Sequence, residues 1–156
     1  EPAYYWFHRI LHIPSIMRLH HKVHHDSVVP RPSADFTFTV AERLSYTLLF
    51  STVFLVSNHY GYLTVGYIWF MMLLFDAINH LGHLNSELFP EKYLDNKIVR
   101  NLVYSCSFHA IHHSKYNYNY SLFMPIWDTI FGTNYDEREL FIEAKRNNPQ
   151  DVKEEQ

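Results

Sequence analysis

The sequence predicts an all-α fold: an integral membrane helical protein with a transmembrane or re-entrant helical hairpin and a histidine-rich helical cap. Three observations carry this reading. Residues 44–75 contain no Asp, Glu, Lys or Arg, whereas both ends of the chain are polar and charged. Within that apolar block, Ser57-Asn58-His59-Tyr60-Gly61 separates residues 44–56 from residues 62–75. The block therefore reads as two helices rather than one span, for which about 20 apolar residues suffice. Finally, ten of the twelve histidines fall in groups spaced i, i+3 or i+4, which share one face of a helix. These are His8 and His12; His21, His24 and His25; His80 and His83; and His109, His112 and His113.

In chain order, residues 3–12 form an amphipathic helix that ends ahead of Pro14, because a proline disfavours helix in the residue before it. Pro14 suits the first turn of a second helix, residues 16–25. His20 and His24 are also four apart, but Phe108 stands where His20 does in the later His-x-x-His-His repeat, so His21 is the better ligand. Residues 26–33 are a proline loop, and a helix restarts near residues 40–43 with Glu42 and Arg43 at its polar edge. The hairpin covers about 44–78, its second helix continuing through Asp76, Ala77 and Ile78 to deliver His80 and His83 at a polar end. Tyr46, Tyr60, Tyr62, Tyr67 and Trp69 suit a membrane interface; a buried hairpin in a soluble all-α domain is the alternative. His59 falls at the hairpin tip, away from the other histidines. Residues 85–96 are a loop, residues 98–104 a short helix, and Ser105 or Ser107 a cap for the third histidine helix. Residues 116–121 are a poor helix, residues 125–131 a last turn stopped by Gly132, and residues 136–156 a polar tail expected to be partly disordered.

The net charge of -3 and a pI near 6.5 give no reason to expect nucleic acid. One cysteine, Cys106, excludes an internal disulfide and fits a reducing compartment. The chain opens Glu1-Pro2 without Met or a signal-peptide pattern, and is expected to be a piece of something longer.

Two His-x-x-His-His helices facing each other would surround a volume with six imidazoles, and neutral imidazole is the usual ligand of zinc, iron, copper or nickel. Structural zinc takes four ligands, usually with cysteine; ten clustered histidines suit two metals. The sequence has no His-Glu-x-x-His and no Glu-x-x-His, so a zinc protease and a soluble di-iron carboxylate bundle are unsupported. An all-nitrogen dinuclear site beside a membrane suits a redox metal handling O2 on a lipid chain, chemistry closed to redox-inert zinc. The other class left open is a non-catalytic or transport-type membrane metal-binding protein.

The ordered motifs are Tyr5-Trp6-x-His8-Arg9-x-x-His12, His21-x-x-His24-His25, Asn79-His80-x-Gly82-His83, His109-x-x-His112-His113, Asn119-Tyr120 and residues 126–133. Together they closely resemble the fatty acid hydroxylase/sterol desaturase superfamily, over nearly all of residues 4–133. The resemblance implies a fatty acid hydroxylase-like domain over residues 1–135, lacking the family's earlier membrane helices. It further implies an O2-dependent di-iron oxidoreductase that hydroxylates or desaturates a sterol or fatty acyl chain in lipid biosynthesis. The expected cofactors are two iron ions, with zinc able to substitute, and O2 is the co-substrate. Cytochrome b5 or a ferredoxin-like carrier would supply electrons. The site would face the cytosol, from the endoplasmic reticulum in a eukaryote or the inner membrane in a bacterium. All ten clustered histidines are the expected metal ligands, His80 and His83 matching a more variable motif; Ser121 stands where many members have Gly. Arg9, Asn119 and Asp128 are candidates to orient metal-bound rings, and Phe70, Phe75 and Trp127 are candidate walls of a lipid path.

Overall fold

The structure is a computed structural model that describes residues 1–84 and 86–135. The expected tail, residues 136–156, lies outside the described residues. Among these the chain is helical, with no strand.

Helix α1 (Pro2–Leu11) ends with His12 as its cap, and α2 (Pro14–Leu19) starts on Pro14 as its sequence suggests. The single helix expected over residues 16–25 is broken: α2 stops at Leu19, and α3 (Lys22–His25) resumes after His20 and His21. The loop that follows contains one 3-10 turn, Pro32–Ala34.

The hairpin helices outrun the apolar block at its polar ends. Helix α4 (Val40–His59) begins where the Thr39 hydroxyl accepts the Glu42 N–H at 3.1 Å, a cap that precedes the first apolar residue. It continues through Ser57, Asn58 and His59, with Ser57 Oγ bonded to the Val53 carbonyl at 2.9 Å. The reversal falls at residues 60–64, where Gly61 adopts φ +74°, a conformation open to glycine at little cost. Helix α5 (Val65–Gly82) is capped by the Thr64 hydroxyl on the Tyr67 N–H.

Residues 86–96 contain a short α6 (Glu91–Leu94), and α7 (Lys97–Leu102) is capped by Asn96. Ser105, rather than Ser107, caps α8 (Cys106–Lys115) by accepting the Phe108 N–H. The last helix, α9 (Ile126–Ile130), ends before Gly132 at φ +68°.

Helix α5 packs on α8, and α1 on α4. Their shared core of Tyr4, Leu11, Tyr46, Phe75, Tyr104, Phe108 and Leu122 forms the floor of the histidine cap, each large apolar side chain contributing roughly 1.5–3 kcal/mol by burial. The α5–α8 contact depends on Gly82. A Cβ there would overlap the Tyr104 hydroxyl and stand 3.0 Å from the His109 ring. Outside that contact the hairpin is bare. Only 11% of the most apolar stretch of α4 and 17% of that of α5 is buried. Leu48, Leu55, Val65, Trp69, Phe70 and Leu73 stand mostly exposed. Both helices are long and apolar enough to cross a membrane, and a hairpin in the core of a soluble domain would be mostly covered instead.

Residues 116–121 cross back under the histidine helices as an irregular strap, with Tyr116 and Asn119 both at φ 60°. Asn119 tolerates that conformation better than most residues, and its amide nitrogen bonds the Phe108 and Tyr135 carbonyls, each at 3.1 Å. Asp128, fully buried in α9, holds the strap from the other side. Its carboxylate accepts the Tyr120 N–H and the Ser121 N–H, each at 2.8 Å, and the Thr133 hydroxyl at 2.7 Å.

Replacing Asp128 by Ala would strand those three donors. Each buried unpaired donor costs about 1–3 kcal/mol, so Asp128→Ala is expected to destabilise the fold by about 3 kcal/mol or more. Thermal or denaturant unfolding of the detergent-solubilised protein measures this; a loss below about 1 kcal/mol would mean the strap holds without Asp128.

Candidate metal centre

Nine histidines converge in two adjoining groups, all of them buried. The first contains His8, His12, His21, His25 and His112; the second contains His24, His83, His109 and His113. Within each group one ring nitrogen per residue lies within 4.8 Å of all the others. The groups touch, the His25 and His113 rings stacking with centroids 4.5 Å apart.

The two His-x-x-His-His runs are shared between the groups in a reciprocal way. His21 and His25, four apart, enter the first group, while His24 crosses to the second; His109 and His113 enter the second, while His112 crosses to the first. Residues i and i+4 lie nearly in line on a helix, and i+3 points off to one side, so each motif spreads over both groups. His8 and His12 complete the first group and His83 the second. The sequence placed His80 with His83, but the structure separates them. Helix α5 ends at Gly82 and His83 turns inward as its cap. His80, about half exposed, hydrogen-bonds through Nδ1 to the Asp76 carbonyl at 3.0 Å and stands 3.1 Å from the Asp35 carboxylate.

Backbone oxygens fix the rings. Nδ1 of His8 donates to the Tyr120 carbonyl (2.7 Å), His83 to Asn79 (2.9 Å), His112 to Tyr118 (2.7 Å) and His113 to Ser27 (3.0 Å). A carbonyl only accepts, so in these four rings Nδ1 carries the hydrogen and a neutral ring presents a bare lone pair at Nε2. Nδ1 of His21 meets the Glu42 carboxyl group at 2.5 Å, and with that group ionised its Nε2 is bare as well. Yet the Nε2 atoms of His8 and His21 face each other at 3.1 Å, and His112 Nε2 and His12 Nε2 are buried with no partner.

Protonation does not relieve this crowding near neutral pH. Burial, the larger cause, drives His8 down to about 4, and burial together with neighbouring imidazoles drives His12 to about 2 and His113 to about 3. His21, His24, His25, His109 and His112 lie well below the ordinary value for the same two reasons, and burial also lowers His83. Lone pairs converging on a small volume, on neutral rings, are what metal ions require. The residues present fit two of them.

Arg9, Asn119 and Asp128 hydrogen-bond to no ring of either group, but all three bear on the strap. Arg9 bonds the Tyr5 hydroxyl (3.2 Å), which reaches Thr133 (2.8 Å) and through it Asp128. Asp128 holds the backbone of Tyr120, and the Tyr120 carbonyl orients His8. Glu42 is the residue that sequence reasoning placed at the polar edge of the hairpin, and the structure buries it completely against His21. Thr39-x-x-Glu42 has the form of a helix capping box, which gives the carboxylate a local explanation. A charge bordering a long apolar run and a histidine motif was the signal for a different role.

A model of the family described as Fatty acid hydroxylase matches residues 1–133. Among curated relatives, the chain is 39% identical over 152 residues to Protein CER1-like 1 of Arabidopsis thaliana, covering 93% of this chain and 24% of that protein. It is 38% identical over 138 residues to Very-long-chain aldehyde decarbonylase GL1-4 of Oryza sativa subsp. indica, covering 85% and 22%. To Very-long-chain aldehyde decarbonylase CER1 of Arabidopsis thaliana it is 32% identical over 157 residues, covering 97% and 24%. The chain thus spans about a quarter of the length of these relatives. No solved structure matches it.

The depressed histidines set the pH response of the metal-stripped protein. Unfolded histidines titrate near 6.5, so between that pH and the lower folded values the unfolded chain binds more protons. Stability is therefore full above about pH 6.5 and falls as pH drops below it. Denaturant midpoints of stripped protein are expected to fall steeply between pH 7 and pH 5; a flat profile would contradict nine buried neutral rings. Separately, Gly82→Ala should displace Tyr104 and His109 and lower metal retention in the second group, read by metal content after dialysis against a weak chelator.

Proposed function

Because the chain belongs to the fatty acid hydroxylase family, we propose that its nine buried histidines hold two iron ions and that the protein uses O2 to modify a long-chain lipid. The observation that carries this is the pair of adjoining imidazole groups whose bare nitrogens face inward. Iron, when bound, supplies the redox cycling that O2-dependent chemistry on a lipid chain needs; zinc fits the same nitrogens without it. The protein's own part is to hold nine rings neutral and oriented, and to bring an apolar chain beside them.

The motifs raise hydroxylation or desaturation of a sterol or acyl chain as the expected reaction. The names of the relatives favour a different member of the same chemistry, removal of the carbonyl carbon from a very-long-chain aldehyde, and we take that as the leading assignment. Residues 1–135 would form the metal-bearing unit and residues 136–156 a polar tail. The bare apolar faces of α4 and α5 support insertion of the hairpin into the bilayer, with the histidine cap just outside it; the cytosolic side is the one the family resemblance implies. The site would receive electrons there from cytochrome b5 or a ferredoxin-like carrier, at the endoplasmic reticulum in a eukaryote. A transport role has less support, since the nine rings form two adjoining groups rather than a file along the hairpin.

An apolar groove of about 540 Å³ on the hairpin, lined by Phe36, Phe38, Tyr46, Phe50, Phe54 and Phe75, is the best candidate for the lipid path. The Phe38 ring lies 5.2 Å from His24, and Tyr46 stacks at 6.2 Å on Tyr4, which lies 5.4 Å from His8. Of the three aromatic walls suggested by sequence, Phe75 lines this groove. Phe70 points outward, and Trp127 stacks on Phe131.

Two measurements test this reading. Purified active protein should contain about two irons per chain, and zinc-loaded protein should be inactive; full activity with zinc alone would exclude the redox mechanism. Filling the groove with Thr47→Trp should shift the accepted chain length by about tenfold in selectivity, read by mass spectrometry of lipid products, while Phe70→Ala leaves the profile unchanged. An unchanged profile in well-folded Thr47→Trp protein removes this groove from the path.

A further inference from the structure

We propose that Glu42 is a positioning residue for His21 that makes the two metal sites inequivalent, giving the five-histidine group a carboxylate bonded directly to one of its ligand rings, which the four-histidine group lacks. The inference rests on the metal reading above and deepens it. His8, His83, His112 and His113 are each oriented by a neutral carbonyl, whereas the ring of His21 meets a carboxylate, Oε1 to Nδ1 at 2.5 Å. A carboxylate on the far nitrogen makes Nε2 a stronger donor to a metal than a carbonyl does. That Nε2 stands at the centre of its group, 3.1 Å from those of both His8 and His25.

The capping-box spacing to Thr39 gives Glu42 a local role but does not account for its burial against His21. It is fully buried at the head of α4, where the neighbouring charge, Arg43, is exposed. Burying a carboxylate costs several kcal/mol unless charge nearby offsets it. The α4 N-terminus supplies part, since Glu42 lies in the first turn. A divalent ion on the other side of the His21 ring supplies the rest. The second group has no such carboxylate among the described residues: His83 and His113 rest on carbonyls, and His109 faces histidines. Glu42 is also the first turn of the hairpin, so the same side chain ties the apolar helices to one particular metal site.

The test is a Co2+ titration of stripped, detergent-solubilised protein, following visible absorption, with Glu42→Gln and Glu42→Ala beside wild type. Thermal unfolding of each metal-free protein is measured in parallel. Glu42→Gln is nearly isosteric and can still accept the His21 N–H, so it isolates the charge. Wild type should bind two ions. Glu42→Gln should weaken one of them by about 10–100-fold and leave the other unchanged, and Glu42→Ala should weaken the same ion further. Unchanged binding of both ions in the variants overturns the assignment of Glu42, as does equal weakening of both or a loss that tracks the folded fraction. Wild type that binds no ion overturns the metal reading itself, and this inference with it.

Discussion

The structure depends on one awkward arrangement: nine neutral imidazoles buried together, with nitrogen lone pairs facing one another. Left alone, facing lone pairs repel. For the rings whose Nδ1 is held by a carbonyl, a further proton would relieve the repulsion only by charging a ring that burial holds neutral. A cation at each group removes the conflict at once. Much of the surrounding structure keeps the rings in that poised state. Carbonyls of Tyr118, Tyr120, Asn79 and Ser27 fix which nitrogen carries hydrogen. Asp128 fixes the strap that presents two of those carbonyls, and Gly82 allows α5 close enough to α8 for His83 to meet His109.

Much of this was legible in the sequence, and for identifiable reasons. Histidine at helical spacing is a direct statement about which side chains share a face, so the convergence of His8, His12, His21, His24, His25, His109, His112 and His113 could be read before any fold was known. The charge-free block marked the hairpin for the same reason, since composition fixes where a helix can be buried or can face lipid. What spacing could not give was the end of a helix. His80 and His83 are three apart, yet α5 stops between them, so one ring turns inward and the other outward. Nor could periodicity reveal the break at His20 and His21, which separates α2 from α3 and sets the angle at which the second motif enters the site.

Long-range polar contacts were the least visible. Arg9, Asn119 and Asp128 stood out as residues near motif histidines, but their link to the metal groups runs through backbone, by way of the strap. Glu42 lay in plain view at the edge of the hairpin. Its partner is 21 positions away, a distance at which neither propensity nor period carries information, and its capping-box spacing to Thr39 offered a sufficient local role. Buried polar groups need partners, but a sequence does not say which.

The division of nine rings into five and four is more than a count, because of where the groove lies. Two His-x-x-His-His runs exchanging their middle members would, alone, give two groups of three. Helix α1 adds a pair to the first group and α5 adds a single ring to the second. The first group is also the one backed by Glu42 and by the strap through His8 and His112. It is held from more directions. The second group, with fewer protein ligands, is the one reached from the groove through a single ring, Phe38 against His24, while the first lies behind two, Tyr46 and Tyr4. If the groove carries the lipid as proposed, its shorter approach leads to the four-histidine group.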